Sequence, residues 1–313
     1  MTRRNHLLIF ILATGVFGII NTEMGVIGIL PALADHFDVS VSKAGLLVSL
    51  FALCVAIAGP TMPLLFSGVD RKKAMLLVLG VFIISNMVSI YTSNFTLALI
   101  TRVIPAFFHP IYCSLAFTIA ASTVSREEAP RAVSNVMIGV SAGMVIGVPI
   151  VSFLAEYLTS VTNVSLNMIS MMLLIYGGAN IIGNIVAGRL LTNHAIKSVV
   201  IFPFALGIVY IFLFWFGQFT IPMIIITFVW GIFGGLGANI NQYWMMTSAP
   251  EASDFTNGLF LTSANLGTTL GASLAGLLIL TMGTPYMVIA GMISLVLGAV
   301  CIGLRNNMNK TIT

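Results

Sequence analysis

The sequence predicts an all-α polytopic membrane protein, a helical bundle with about ten transmembrane helices. Three observations carry that prediction. The chain of 313 residues is 58% hydrophobic and 7% charged, with a mean hydropathy of +1.08; soluble domains carry about 25% charged residues, and so few polar side chains cannot cover a globule of this size in water. Apolar runs recur along the chain, each near the roughly 20 residues a helix needs to cross a bilayer, where a membrane β-barrel would show short alternating segments. Finally, the basic residues collect in every second connection between those runs.

The first run, residues 7–33, continues far beyond a signal-peptide core and shows no small-residue cleavage site, so it reads as a retained span. It carries Asn21 and Glu23. The second run is 44–66, with Pro60 and Pro63, and the third is 74–92. The fourth, 96–121, holds Arg102, Pro105, His109 and Pro110. The fifth, 132–156, is spaced with Gly139, Gly143 and Gly147 and contains Pro149. Asn180 and Asn184 share a face of the sixth, 166–190; the seventh, 198–216, contains Pro203. The eighth, 220–243, ends in Asn239, Asn241 and Gln242, and the ninth, 256–281, carries Asn265 and the series Gly267, Gly271, Gly276. The tenth is 286–304. Glycines at spacings near four let neighbouring backbones approach; ordinary helix packing is the commoner cause and sliding between moving bundles the sharper one. The prolines fit kinked helices that line and gate cavities.

Arg3, Arg4, Arg71, Lys72, Lys73, Arg126, Arg131, Arg189, Lys197, Arg305 and Lys310 lie in alternate connections or at the ends, eleven of the 13 Lys and Arg residues. The opposite loops hold only Lys43, and Arg102 is inside a span. By the positive-inside rule the protein is multi-pass with both termini cytoplasmic, and a bacterial inner or plasma membrane is the expected location. The net charge of +4 is therefore topology, and no nucleic-acid partner is expected. Cys54, Cys113 and Cys301 sit in apolar runs without metal-ligand or disulfide spacing, so no metal is expected.

Charges inside spans are costly and call for a partner or a watery cavity. Glu23 reads either as a proton-coupling carboxylate or as a permanent ion pair. Arg102 stays protonated, which favours a structural or gating role and lets it tune a nearby carboxylate. His109 lies about two turns beyond Arg102 as a titrating group, a substrate contact or, more commonly, a packed hydrogen-bonding residue. With Asn21, the amides Asn180, Asn184, Asn239, Asn241, Gln242 and Asn265 form a candidate substrate cavity for a neutral polar or amphipathic ligand; hydrogen bonding between helices is the competing explanation. Tyr243 and Trp244 also read as interfacial anchors. The sequence contains no P-loop, nucleophile elbow or zincin motif, so neither an enzyme nor a cofactor is expected.

At this point the residues resemble a family. The run NTEMGVIGILPALADHFDVSVSKAGLLVSLFAL resembles the first hairpin of major facilitator superfamily drug:proton antiporters, in the branch of arabinose-efflux-type and purine-nucleoside-efflux-type permeases. Thr22-Glu23-Met24, Leu30-Pro31, Ser40 and Ala44-Gly45 carry the likeness. GVDRKK is similar to the gating loop after the family's second helix, with Asp70, Arg71, Lys72 and Lys73 as its charged part; the family's glycine four residues before the acid is absent. Arg102 matches a fourth-helix arginine linked in the family to proton coupling, which places Glu23 and Arg102 as the implied coupling pair. GVSAGMVIGVPI resembles the antiporter glycine motif of helix five, through Gly139, Gly143, Gly147 and Pro149, with Met144 where proline is usual. SANLGTTLGASLAGLL resembles helix eleven.

The family has twelve helices in about four hundred residues, and this chain has fewer and is shorter. EYLTSVTNVSLNMISMMLLIYGGANIIGNIVAGRL resembles the end of helix seven, its external loop and helix eight, so an internal deletion that fuses helix five to helix seven near VSFLAEYL is expected. Residues 1–150 then form an N-terminal bundle and 151–313 a shortened C-terminal bundle. The resemblance implies proton-coupled efflux of a drug, nucleoside, purine or sugar, impaired by the loss of helix six and parts of helices five and seven. The implied partners are a small-molecule substrate, protons and the lipid bilayer, with oligomeric state open. Two other readings stand beside it: a native ten-helix drug/metabolite-type transporter and a non-transporting membrane remnant.

Overall fold

The architecture is that of a computed structural model, which describes residues 2–147 and 152–312. Every regular element among them is helical: α1 Arg3–Gly28, α2 Leu30–His36, α3 Val41–Ala44, α4 Leu46–Leu65, α5 Arg71–Tyr91, α6 Phe95–Ser122, α7 Ala129–Gly147, α8 Ser152–Ser160, α9 Leu166–Phe216, α10 Thr220–Met246, α11 Ser253–Met282 and α12 Met287–Ile312, with two short 3₁₀ turns. Eight of the elements described are long and apolar enough to cross a membrane. The helices start where the sequence offers caps. Asp70 accepts from the Lys73 amide at 3.0 Å, and Asn94 from the Leu97 amide at 3.0 Å.

Two expected spans are built differently from their sequence outline, and two more are joined without a loop. The first does not run to residue 33. α1 stops at Gly28 and α2 begins at Leu30 with Pro31 in its first turn, the break falling at Ile29 (φ −111°, ψ 13°); proline suits a helix start, where its missing N–H costs no hydrogen bond. The fifth is represented by α7 and α8, and Pro149 of the glycine motif lies outside the described residues. The sixth and seventh are merged into the 51-residue α9, whose one non-helical residue is His194 (φ −143°, ψ 45°). No glycine or proline lies in LTNHAIK, so helix-forming residues continue to either side of the break.

α9 is nevertheless two spans. A straight helix of that length would extend about 75 Å, more than twice the roughly 30 Å of hydrocarbon. Its ends instead meet. The Thr162 hydroxyl, just before α9, donates to the Gly217 carbonyl at 2.7 Å, and the buried Tyr157 hydroxyl donates to the Leu213 carbonyl at 2.9 Å. Only a chain folded back at His194 brings residues 162 and 217 together.

The helices group into two compact units. One contains residues 1–149 and 241–267, the other 150–240 and 268–313. The core of the first is built by Val16, Ile19, Phe51, Val78, Phe117 and Met137 with their neighbours. Within it α1 and α7 lie side by side: a side chain at Gly139 would meet the Ala13 carbonyl, and one at Gly143 the Phe17 carbonyl and Ile20. In the same way α4 and α11 cross at Gly59 and Gly258, each filling the space a Cβ on the other would need. By contrast, Gly267, Gly271 and Gly276 of α11 have no neighbouring atom within 4 Å of a Cβ position among the described residues, so these three do not mark a helix-to-helix approach there. The second unit packs Tyr157, Leu158, Met172, Leu213 and Met223 around the hairpin of α9.

Candidate functional site

The buried charges of the first unit converge on one place. Glu23 is 7% exposed, Arg102 7% and His109 1%. α6 presents Arg102 and His109 to α1, and their seven-residue spacing is close to two helical turns, about 10 Å. The partner of the Glu23 carboxylate is His109: Nε2 lies 3.2 Å from Oε2. Arg102 reaches the same stretch of α1 through the main chain. Its Nη1 donates to the Thr22 carbonyl at 2.9 Å and its Nη2 to the Glu23 carbonyl at 3.0 Å. The guanidinium also stacks over Phe51, 4.6 Å from the ring centroid, an arrangement favourable to a cation out of water. A carbonyl has two lone pairs, so both can accept from Arg102 while remaining in their helix.

Each of these groups is a buried charge or titratable side chain, and each is matched. Facing an ionised carboxylate, Nε2 of His109 must carry the hydrogen; if the proton sits on Glu23, the carboxylic acid can donate to the imidazole instead. One proton can thus occupy either side of the contact. The other ring nitrogen, Nδ1, is buried and has no hydrogen-bond partner among the described residues. Cys113 Sγ lies 3.7 Å from Nε2, one turn along α6. Phe51 meets the imidazole edge-on at 6.0 Å between centroids, so one ring lies against both Arg102 and His109. Pro105 and Pro110 lie inside α6, where each removes a main-chain donor and loosens the helix around His109.

The candidate cavity amides are distributed over both units. In the second, Asn239 Nδ2 donates to Asn184 Oδ1 at 2.6 Å, and Asn184 Nδ2 to the Asn180 carbonyl at 3.0 Å. These three clasp α9 to α10. In the first, Gln242 Nε2 donates to Asn257 Oδ1 at 2.7 Å. Asn265 bonds back to the Leu261 carbonyl at 3.0 Å, Asn241 is exposed and Asn21 is half-buried. The gating-loop residues Asp70, Arg71, Lys72 and Lys73 are all exposed at the start of α5.

A second polar cluster in this unit was not singled out in the sequence. Thr118 donates to Asp254 Oδ1 at 2.6 Å, Ser114 to the Asp254 carbonyl at 2.7 Å, and Asn257 Nδ2 to Thr118 Oγ1 at 3.2 Å. With Gln242 these residues tie the end of α6 to the first turns of α11. The signal was present: Ser114 and Thr118 are one turn apart in an apolar helix, and Asp254 and Asn257 are three apart. Asp254→Ala should therefore leave Thr118 without its acceptor and cost about 1–3 kcal/mol, read as a lowered unfolding temperature in detergent. Asp254→Asn, which keeps an acceptor oxygen, should lose less; equal melting of Asp254→Ala and the parent protein would remove the cluster from the stability of this unit.

Known proteins resemble this chain in sequence. The family model described as Major Facilitator Superfamily matches residues 12–161 and 152–310. A segment of 145 residues is 37% identical to the Uncharacterized MFS-type transporter YtbD of Bacillus subtilis, covering 46% of this chain and 37% of that protein. Uncharacterized MFS-type transporter YfhI of Bacillus subtilis is 33% identical over 151 residues, 48% of this chain and 38% of its own. Inner membrane transport protein YdhP of Escherichia coli is 32% identical over 145 residues, again 46% and 37%. The chain thus aligns to well under half the length of each of these relatives.

Proposed function

The chain belongs to the Major Facilitator Superfamily, and on that premise we propose that it is a secondary active transporter that exports a small molecule in exchange for protons. The observation that carries this reading is the Glu23–His109 contact, a buried acid–imidazole pair joining two helices at 3.2 Å. Ionisable side chains within a membrane are expensive and belong to proton and substrate pathways. A proton arriving on Glu23 neutralises the carboxylate and weakens its hold on a cationic imidazole; a proton leaving restores it. Arg102 fixes α1 through the Thr22 and Glu23 carbonyls, so the carboxylate stays in register with His109 while its charge changes. We place the basic connections and both termini in the cytoplasm of a bacterial cell membrane, with a drug-like amphiphile, nucleoside, purine or sugar as the class of cargo. Alternating access would pass it outward past the first unit, where the Asp254 cluster ties α6 to α11.

A second reading is favoured by one observation. The family match falls in two pieces that overlap at residues 152–161, the stretch occupied by α8. This supports a fusion of helix five to helix seven there, with transport weakened by the loss of the span between them.

Purified protein reconstituted in liposomes with an entrapped pH-sensitive dye tests both. Under an imposed pH gradient, addition of a transported compound should produce proton movement that an ionophore abolishes. Ligand binding without movement of either ligand or protons, across a panel of amphiphiles, nucleosides and sugars, would reject transport and leave the fused remnant.

A further inference from the structure

The fold of α9 leaves a cavity that the proposed transport reaction does not use. It has a volume of about 390 Å³ and lies against the break at His194. Its walls are apolar, built by Leu190, Ile201, Phe202 and Ala205 of α9 and by Phe233 and Leu236 of α10. Its polar residues are His194, Lys197 and Ser198. The Ser198 hydroxyl is engaged with the His194 carbonyl at 2.9 Å. Lys197 is exposed and makes no ion pair among the described residues. Ile201, one turn on, is 60% exposed and Phe204 64%. In a chain whose exposed apolar surface faces hydrocarbon, a cavity that includes Ile201 opens toward lipid tails.

Charge decides what fits. Between Glu156 and Glu251 the sequence contains no acidic residue, and the second unit holds Glu156 alone. The turn at 189–197 contributes Arg189, His194 and Lys197. Glu156 belongs to α8, whose Tyr157 bonds to Leu213 at the opposite end of the α9 hairpin. The cavity therefore joins an apolar slot to a cationic residue that makes no ion pair among the described residues of its unit. We infer that it is a binding site for an anionic phospholipid, with one acyl chain between Phe202 and Phe233 and the phosphate beside Lys197. Basic pockets between transmembrane helices at the membrane surface recognise such headgroups, and a lipid supplies in one molecule the anion and the tail that this cavity asks for. The inference rests on the membrane setting alone and holds whether or not the chain transports.

The test uses the full-length protein in detergent, mixed with equal amounts of dioleoylphosphatidylglycerol and dioleoylphosphatidylcholine and examined by native mass spectrometry. Phosphatidylglycerol adducts should exceed phosphatidylcholine adducts by about fivefold, the discrimination one surface lysine supplies. Lys197→Gln should remove that preference while total lipid binding persists. Ala205→Trp should fill the slot and reduce adducts of both lipids, with circular dichroism confirming retained helix. Equal retention of the two lipids by the parent protein overturns the inference, as does a preference unchanged by both substitutions. Displacement of phosphatidylglycerol by equimolar glycerol 3-phosphate would reduce the site to an anion site and overturn the assignment of the acyl slot.

Discussion

Glu23→Gln should abolish substrate-driven proton movement in liposomes while leaving the fold intact. The substitution keeps the size of the side chain and an oxygen that can accept from His109 Nε2, so its effect on stability is limited to about 1–2 kcal/mol, the loss of charge from one hydrogen bond. What it removes is the titratable group. Gln cannot alternate between neutral and anionic, so the contact at 3.2 Å can no longer report the proton to α6. Glu23→Leu makes the complementary point. It leaves an imidazole of 1% exposure with no acid to face, and should cost about 3 kcal/mol or more, as broken buried pairs do. Arg102→Lys separates positioning from titration: a lysine cannot donate in the fork that spans the Thr22 and Glu23 carbonyls, so coupling should weaken without being lost. Proton release undiminished in Glu23→Gln would take the carboxylate out of the mechanism and leave the Glu23–His109 contact a structural ion pair.

That pairing also marks the boundary of what the sequence discloses. Glu23, Arg102 and His109 stood out because each is rare in an apolar run, and the structure brings all three to the junction of α1 and α6. Their pairing was not readable. The family resemblance joins Glu23 to Arg102, yet the guanidinium bonds to main-chain carbonyls and the imidazole takes the carboxylate. Which side chain fills a buried contact depends on the rotation of two helices about their axes, and hydropathy carries no such term. The amides illustrate the same limit. Composition gives their polarity, whereas only the register of α9 against α10 decides that Asn239 meets Asn184. The turn between the sixth and seventh spans was legible, because the stretch 191–197 with His194 and Lys197 separates two apolar runs and the chain folds back at His194; what composition does not give is that helix resumes directly on both sides, with tertiary contacts such as Thr162 to Gly217 holding the turn.

Gly235→Leu should produce the largest loss of stability of any single substitution considered for this chain, and the cause lies in that register. The first arm of α9, before His194, runs parallel to α10 in close contact. A Cβ at Gly231 would meet the Tyr176 carbonyl, one at Gly235 the Asn180 carbonyl and Asn184 amide, and one at Gly183 the Ile232 carbonyl. The atoms in the way are backbone, so no rotamer change makes room. A side chain at 235 must push the helices apart, and separation also breaks the bond from Asn239 to Asn184. Overpacking alone costs about 1–3 kcal/mol and occasionally more; a stranded pair of buried amides adds about 1–3 kcal/mol. Gly178 is the control. It lies on the same helix half a turn from Asn180, and a Cβ there has nothing within 4 Å. Gly178→Ala should therefore be neutral or stabilise by up to about 1 kcal/mol, the intrinsic advantage of alanine in a helix. Thermal unfolding in detergent, followed by the fluorescence of Trp215, Trp230 and Trp244, reads both. Similar unfolding temperatures for Gly235→Leu and Gly178→Ala would mean that the glycines of α10 do not set the distance between these helices, and that the asparagine clasp forms without their close approach.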